Sequence, residues 1–303
     1  MRTVSCIADA AHDGARVYDV LREQLGASDG CVRRAKHIEG GLLLDGQPTW
    51  SNARVQAGQE VALAIEAPGL AGCSTDIARE DGPVAVVYAD DDVLVVEKAA
   101  DLVMYPSPSH PGGTLANRLA GWLAAQGRCC GLQAAHRLDR GTSGLVAFAL
   151  NSYAKDRLQA QLHTDAFARE YLAVCEGWPD PLAGVVEVPL GKISTSPNVF
   201  GVVPDGKPAT TRYQVVERGS APDGSRCALV RLRLETGHTH QIRIHMAHIG
   251  HPLVGDDAYG TPSPAIARPA LHSARLAFDH PVTGTRLELE SPLPADMARL
   301  LAP

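Results

Sequence analysis

Apolar residues along this chain mark short helices and strands, and one stretch without periodicity divides it. Val17, Val20, Leu21 and Leu25 fall at helical spacing, and Gly26 follows where a helix would stop. Cys31 to His37 predicts a short second helix carrying Arg33, Arg34 and Lys36. Gly40 to Gln47 reads as a strand entering a tight Asp45-Gly46 turn, and Val61 to Ile65 as a closing strand. Pro68 to Pro83 is rich in Gly, Ser, Asp and Pro and lacks periodicity, which predicts a linker.

Beyond the linker the chain reads as strands joined mostly by hairpins. Strands are expected at Val84 to Tyr88, Val93 to Glu97, Leu145 to Leu150, Glu170 to Glu176, Gly184 to Pro189, Thr211 to Glu217 and Ala228 to Glu235. A helix with Leu158 and Leu162 lies among them. Asp90-Asp91-Asp92 reads as a solvated turn, because adjacent carboxylates in a strand point apart. Hairpin connections outnumber strand-helix-strand units, so the expected class is α+β with a mixed, largely antiparallel sheet. The expected division is a small α/β module over residues 1–67, a linker over 68–82 and a larger domain over 83–303.

Composition narrows the function. Hydrophobic residues make up 45% and charged residues 20% of 303 residues, ordinary globular values, and no apolar run approaches membrane-helix length. Asp9 and Asp13 interrupt the N-terminus before an apolar signal segment can develop, so a cytoplasmic location is expected. Seven cysteines without CxxC spacing predict buried thiols rather than disulfides or a zinc site. The net charge of -6 means that any contact with nucleic acid must use a local patch.

Two segments carry chemistry. In His136-Arg137-Leu138-Asp139-Arg140-Gly141-Thr142-Ser143-Gly144 a carboxylate lies between two arginines, which would hold it ionised as a nucleophile or base; a loop aspartate capping backbone amides is the plain alternative. In Glu235 to Pro252, Thr239 is the expected N-cap of a helix striped by Ile242, Met246 and Ile249, and Gly250 with Pro252 ends it. Arg243 sits one turn beyond His240, placed to reach a carboxylate past the strand end. Five histidines in fourteen residues raise a metal reading, with a metal-dependent hydrolase as its consequence. His251 falls beyond the helix and no HExxH-type acid completes a zinc set, so no metal site is expected.

HRLDRGTSGL, the segment Ala168 to Ala173, the segment Lys207 to Thr211, and ETGHTHQIRIHMAHIGHPLVGDDAYG together resemble the RluA family of RNA pseudouridine synthases, over roughly Val84 to Pro294. The N-terminal module resembles a small RNA-binding domain also found in a small-subunit ribosomal protein. The resemblance implies isomerisation of uridine to pseudouridine in structured RNA, a redox-neutral reaction with no cofactor. It implies that Asp139 is the catalytic carboxylate, that Tyr171 stacks on the target uracil, that Arg243 pairs with Asp139, and that Arg137 enters the space left by the flipped nucleotide. Leu145 and Ile244 would be pocket walls. Independently of the resemblance, Arg33, Arg34 and Lys36 are the densest basic group before the linker and are the expected RNA contact of the N-terminal module. Large-subunit ribosomal RNA is the first expected substrate and transfer RNA the second, with a monomeric protein and no membrane partner; a non-catalytic RNA-binding or ribosome-assembly factor is the rival reading. Two departures stand out: Lys98-Ala99-Ala100-Asp101 where the family usually has Lys-Pro-Ala-Gly, and His238 where it usually has Arg.

Overall fold

The expected strand segments assemble into sheets. The computed structural model describes residues 1–66, 77–128, 131–162, 164–195, 198–221 and 223–301. In the N-terminal part, β1 (Arg2–Ile7), α1 (Val17–Glu23), α2 (Asp29–Ala35), β2 (Leu42–Leu44), β3 (Gln47–Pro48) and β4 (Glu60–Glu66) form a four-stranded sheet of order β1-β4-β2-β3 with two short helices. Its apolar stripe, with Val17, Val20 and Leu21 from α1 and Val61, Leu63 and Ile65 from β4, closes a core of its own. Ser28 caps α2 by accepting from the Cys31 amide at 3.2 Å, and Cys31, Val32 and Ala35 face inward, so Arg33, Arg34 and Lys36 are left on the exposed face.

The second part comprises β5 (Ala85–Ala89), β6 (Val93–Lys98), α3 (Leu115–Ala125), β7 (Gln133–Ala134), β8 (Ser143–Ala149), α4 (Ser152–Gln161), β9 (Ala168–Glu176), β10 (Ala183–Glu187), β11 (Leu190–Thr195), β12 (Asn198–Val202), β13 (Thr210–Ser220), β14 (Arg226–Leu234), α5 (Gln241–His248), β15 (Leu271–Asp279), β16 (Arg286–Glu290) and α6 (Ala295–Ala298). Ten of these strands make one mixed sheet with the main order β10-β13-β14-β9-β15-β8-β6-β5. The late strand β15 inserts between β8 and β9, antiparallel to β9 and parallel to β8 through His272 opposite Ser143 and Ser273 opposite Gly144. Gly144 is required there: its φ is +106°, and a Cβ would stand 2.3 Å from the Ser273 carbonyl oxygen. This junction brings the loop before β8 beside the middle of β9.

Two expectations are corrected. Thr239 is not the cap of α5; His240 is, at φ 58°, with its side chain making no cap bond. The Asp90-Asp91-Asp92 turn is not simply solvated: buried Asp92 takes both Arg2 amino groups at 2.7 and 2.6 Å and the Asn151 amide at 2.6 Å. The far end of the expected linker is pinned to α3, where Asn117 Nδ2 donates to Ala78 O at 2.7 Å and the Glu80 amide to Asn117 O at 3.1 Å. The earlier part, 67–76, lies outside the described residues, as do Cys73, Cys129 and Cys130; Cys31, Cys175 and Cys227 are buried free thiols and Cys6 is half-buried. No described helix is long and apolar enough to cross a membrane.

The two parts touch. Tyr153 of α4 packs into the N-terminal core and donates to Leu25 O at 2.8 Å, and Ser28 donates to Asp156 of the same helix. With the Arg2–Asp92 pair, these bonds fix the module against α4 and the β5–β6 turn.

Candidate active site

Asp139 lies in the loop between β7 and β8, and the chain around it is held at several points. The fully buried Lys98 ammonium, at the end of β6, donates to the carbonyls of Ala99 at 2.8 Å, Leu102 at 2.9 Å and Arg140 at 3.2 Å. The Lys98 pKa falls to about 8, because burial outweighs the attraction of Asp101 and Asp139. Arg268 reaches the Gly141 carbonyl at 3.3 Å, and Ser143 Oγ bonds buried His272 Nδ1 at 2.9 Å. Gly141 admits Pro269, whose Cδ would lie 2.9 Å from a Cβ at that position. The loop carbonyls of Arg140 and Gly141 are thus satisfied by the side chains of Lys98 and Arg268.

Beside this loop is a cavity of about 370 Å³ lined, among others, by Arg137, Asp139, Tyr171, His240 and Arg243. Four sequence-predicted residues thus face one space. Tyr171 is buried in mid-β9, opposite Leu232 of β14 and Ser273 of β15, and burial pushes its phenol above the usual range. Arg137 is exposed. Arg33, Arg34 and Lys36 do not line the cavity; they lie on α2 of the N-terminal part, and no ion pair engages them among the described residues.

The expected pairing is corrected. Arg243 Nε and Nη2 bind Asp256 at 2.7 and 2.6 Å, and no ion pair within 4.0 Å joins Arg243 to Asp139. Asp256 is the better partner because it is fully buried and rigid, accepting also from the Ala258 and Tyr259 amides. Arg243 still contributes its field, since the charge of Asp139 is felt at its guanidinium. Arg137 and Arg140 make no ion pair with Asp139 either; the nearest titratable neighbour is His240, whose Nε2 lies 4.0 Å from Asp139 Oδ2 and whose pKa burial lowers. Leu145 and Ile244 are not pocket walls: Leu145 packs with Val93, Val95 and Leu276, and Ile244 with Leu190 and Ala209.

The loop ahead of α5 is organised by Gln241. Its Oε1 accepts from Thr236 Oγ1 at 2.9 Å and the His238 amide at 3.1 Å, and its Nε2 donates to Thr210 O and Thr211 Oγ1, both at 3.0 Å. His240 Nδ1 is 2.9 Å from the Tyr259 hydroxyl, and the Arg243 guanidinium stacks 5.0 Å above the Tyr259 ring. Sequence reading missed His240, Gln241, Asp256 and Tyr259 as site residues. The only signal was their position inside the motif that also supplied Arg243.

The histidine run does not converge. His245 Nε2 meets Val188 O at 3.3 Å, His251 Nδ1 meets Glu176 O at 2.9 Å, and His248 is exposed. Among the described residues the one metal-like cluster is Asp90, Asp92 and His280. His280 Nδ1 accepts from the Val282 and Thr283 amides at 3.3 and 3.1 Å, so its proton sits on Nε2, 2.8 Å from Asp90 Oδ2. With Asp92 already taken by Arg2, the cluster is an internal polar network rather than a cation site.

Residues 92–248 match the family model described as RNA pseudouridylate synthase. The chain is 37% identical over 268 residues to the uncharacterized RNA pseudouridine synthase YlyB of Bacillus subtilis, covering 87% of this chain and 85% of that protein. It is 36% identical over 278 residues to ribosomal large subunit pseudouridine synthase D of Vibrio parahaemolyticus, covering 87% and 82%. The solved structure of human RNA pseudouridylate synthase domain containing 1 covers 70% of this chain and 86% of its own, with 28% identity and a TM-score of 0.58. The cavity holding Asp139 and Tyr171 lies within or beside the matched span, and the chain belongs to the RNA pseudouridylate synthase family, isomerases that convert uridine in RNA to pseudouridine.

Proposed function

We propose that this isomerase acts on large-subunit ribosomal RNA and that Asp139 is the carboxylate that works on the target nucleotide. The observation that carries the assignment is the convergence of Asp139, Tyr171, Arg137 and Arg243 on one cavity. The ribosomal target rests on the names of relatives such as the Vibrio parahaemolyticus enzyme and on the unpaired cations Arg33, Arg34 and Lys36 on α2.

In this reading Asp139, whose carboxylate oxygens accept no hydrogen bond among the described residues while its carbonyl takes the Thr142 amide, presents that carboxylate to the ribose or the base. Tyr171 offers its ring to the uracil, and Arg137 at the exposed side fills the place that the nucleotide leaves in the RNA stack. Extracting the base costs a few kcal/mol, offset by these contacts. Arg243 supplies positive potential beside Asp139 while Asp256 keeps it in place. The rearrangement adds no group and changes no oxidation state, so the residues suffice without a cofactor. Residues 1–67 dock RNA and residues 83–303 perform the chemistry, in a monomer acting in the cytoplasm.

The test is Asp139→Asn, which keeps shape and removes charge. RNA carrying tritium at uracil C5 is expected to release none with the variant, while RNA affinity and thermal stability stay near wild type. Turnover above a small fraction of wild type removes Asp139 from the reaction, and pseudouridine mapping that finds the product only in transfer RNA overturns the ribosomal target.

A further inference from the structure

Pseudouridine formation moves one proton off carbon. Once C5 has joined the ribose C1′, C5 still carries its hydrogen and must lose it, which calls for a base beside the reacting carboxylate. The cavity offers His136, Tyr171, His238 and His240 as titratable groups other than Asp139. His136 is fully enclosed, with neither ring nitrogen hydrogen-bonded, and burial and Arg169 pull its pKa to about 3, too weak a base. Tyr171 is held in its phenol form by burial. His238 turns Nε2 toward Pro208 O, at 2.9 Å.

We propose that His240 is the catalytic base that takes the C5 proton, its Nε2 standing 4.0 Å from Asp139 Oδ2 with Nδ1 fixed 2.9 Å from the Tyr259 hydroxyl. This rests on the reading of Asp139 as the carboxylate that works on the nucleotide. Two features of the backbone agree. His240 is one of only two non-glycine residues at positive φ among the described residues, and the strained position aims its side chain at the cavity instead of the helix terminus, where a cap would belong. The Gln241 clamp and the Asp256–Arg243–Tyr259 series hold that conformation from both sides.

The role requires one tautomer. With Nδ1–H donated to the Tyr259 oxygen, 2.9 Å away, Nε2 keeps its lone pair facing the cavity. In the step, the C5–H electron pair becomes the C5=C6 bond, the N1=C6 pair moves to N1, and N1 takes a proton from water. The proton on His240 then passes to solvent, so one proton leaves the base and one arrives. Asp139, Arg243, Asp256 and Tyr259 are the charged or titratable groups facing the imidazole. Burial lowers its pKa, Asp139 and Asp256 oppose that and Arg243 adds to it, so the ring is neutral at neutral pH and competent to accept a proton.

The experiment compares wild type, His240→Asn and His240→Ala on RNA with hydrogen or deuterium at uracil C5. Asparagine tolerates positive φ, so the first variant retains the turn. The expected result is a fall in turnover of about 10²- to 10⁴-fold, with unchanged RNA affinity and a C5 isotope effect larger than that of wild type. Added imidazole should restore part of the activity of His240→Ala, and the acid limb of the wild-type profile should disappear in His240→Asn. A fall with no rise in the isotope effect, or no fall at all, overturns the proposal. Asp139→Asn, run in parallel, must stay inactive with imidazole; activity in that variant refutes the reading of Asp139 and not the role of His240.

Discussion

Replacing Asp256 by asparagine should unfold the protein at markedly lower temperature, although the residue lies outside the cavity lining. Asp256 is fully buried and its two oxygens meet Arg243 at 2.7 and 2.6 Å, with the Arg243 side chain 9% exposed. Asparagine keeps one oxygen for the Ala258 and Tyr259 amides and for one guanidinium N–H. Its NH₂ then faces the other guanidinium donor, and the buried cation loses its counter-charge. Removing one partner of a buried pair costs about 3–5 kcal/mol, and at about 2–4 °C per kcal/mol the midpoint should fall by about 6–20 °C. Arg243→Met should also be costly, because it leaves the Asp256 carboxylate with only two amide donors. The double variant removes both charges and should be more stable than the sum of the single losses allows, since a neutral pair leaves no buried ion uncompensated. Thermal unfolding with a double-mutant cycle, beside tritium release, separates the two roles of Arg243: the double variant recovers stability and remains slow, for Asp139 has lost the nearby positive potential. An Asp256→Asn midpoint within the equivalent of about 1 kcal/mol of wild type, or strictly additive losses, would refute the reasoning.

Lys98→Met should destabilise the junction between the end of β6 and the Asp139 loop by leaving the carbonyls of Ala99, Leu102 and Arg140 without their donor, at about 1–3 kcal/mol each before the relief of the buried charge is subtracted. Because the folded pKa of Lys98 is depressed to about 8, the unfolded chain holds more protons between pH 8 and its ordinary value of 10.5. The Lys98 contribution therefore rises with pH across that window, by up to about 3 kcal/mol; a wild-type minus Lys98→Met stability difference that is flat from pH 7.5 to 10.5 contradicts this. Alanine at Arg33, Arg34 and Lys36 together should weaken RNA binding and reduce the salt dependence by about 0.7–0.9 of a slope unit per lost phosphate contact, with kcat at saturating RNA unchanged; identical slopes would make these cations a solvated helix face. A chain starting at Pro83 is a poorer test, because it strips Arg2 from buried Asp92 and exposes Tyr153, so lower stability accompanies any loss of binding.

What could be read from the sequence was what repeats locally. The strands, the helix stop at Gly26, where φ is +67°, and the separate motifs that carry Asp139, Tyr171 and Arg243 depend on spacing and residue type, which are visible in one dimension. What could not be read was the choice among equivalent partners far apart in the chain. Arg243 had Asp139, Asp256 and Asp257 as candidate carboxylates by charge alone, and Asp256 prevails because the turn after Leu253 delivers it, dehydrated and bonded to two amides, to the Arg243 fork. The same reason hid the cap of α5. Thr239 satisfies the usual rule, but Gln241 already occupies the His238 amide from the other side, tying the loop to β13, and the left-handed position passes to His240.

Local preference fails at His240 because long-range bonds dictate the backbone there, and those bonds converge on the cavity. The strand order argues the same way. No local pattern announces that β15 will separate β8 from β9, yet that insertion sets the Asp139 loop beside Tyr171, and Gly144 exists to let the Ser273 carbonyl pass. The conformational cost at His240 and the side-chain freedom given up at Gly144 are thus borne by the same construction: a sheet whose centre is closed by a late strand, presenting a carboxylate and an imidazole side by side, 4.0 Å apart, on one wall of the cavity.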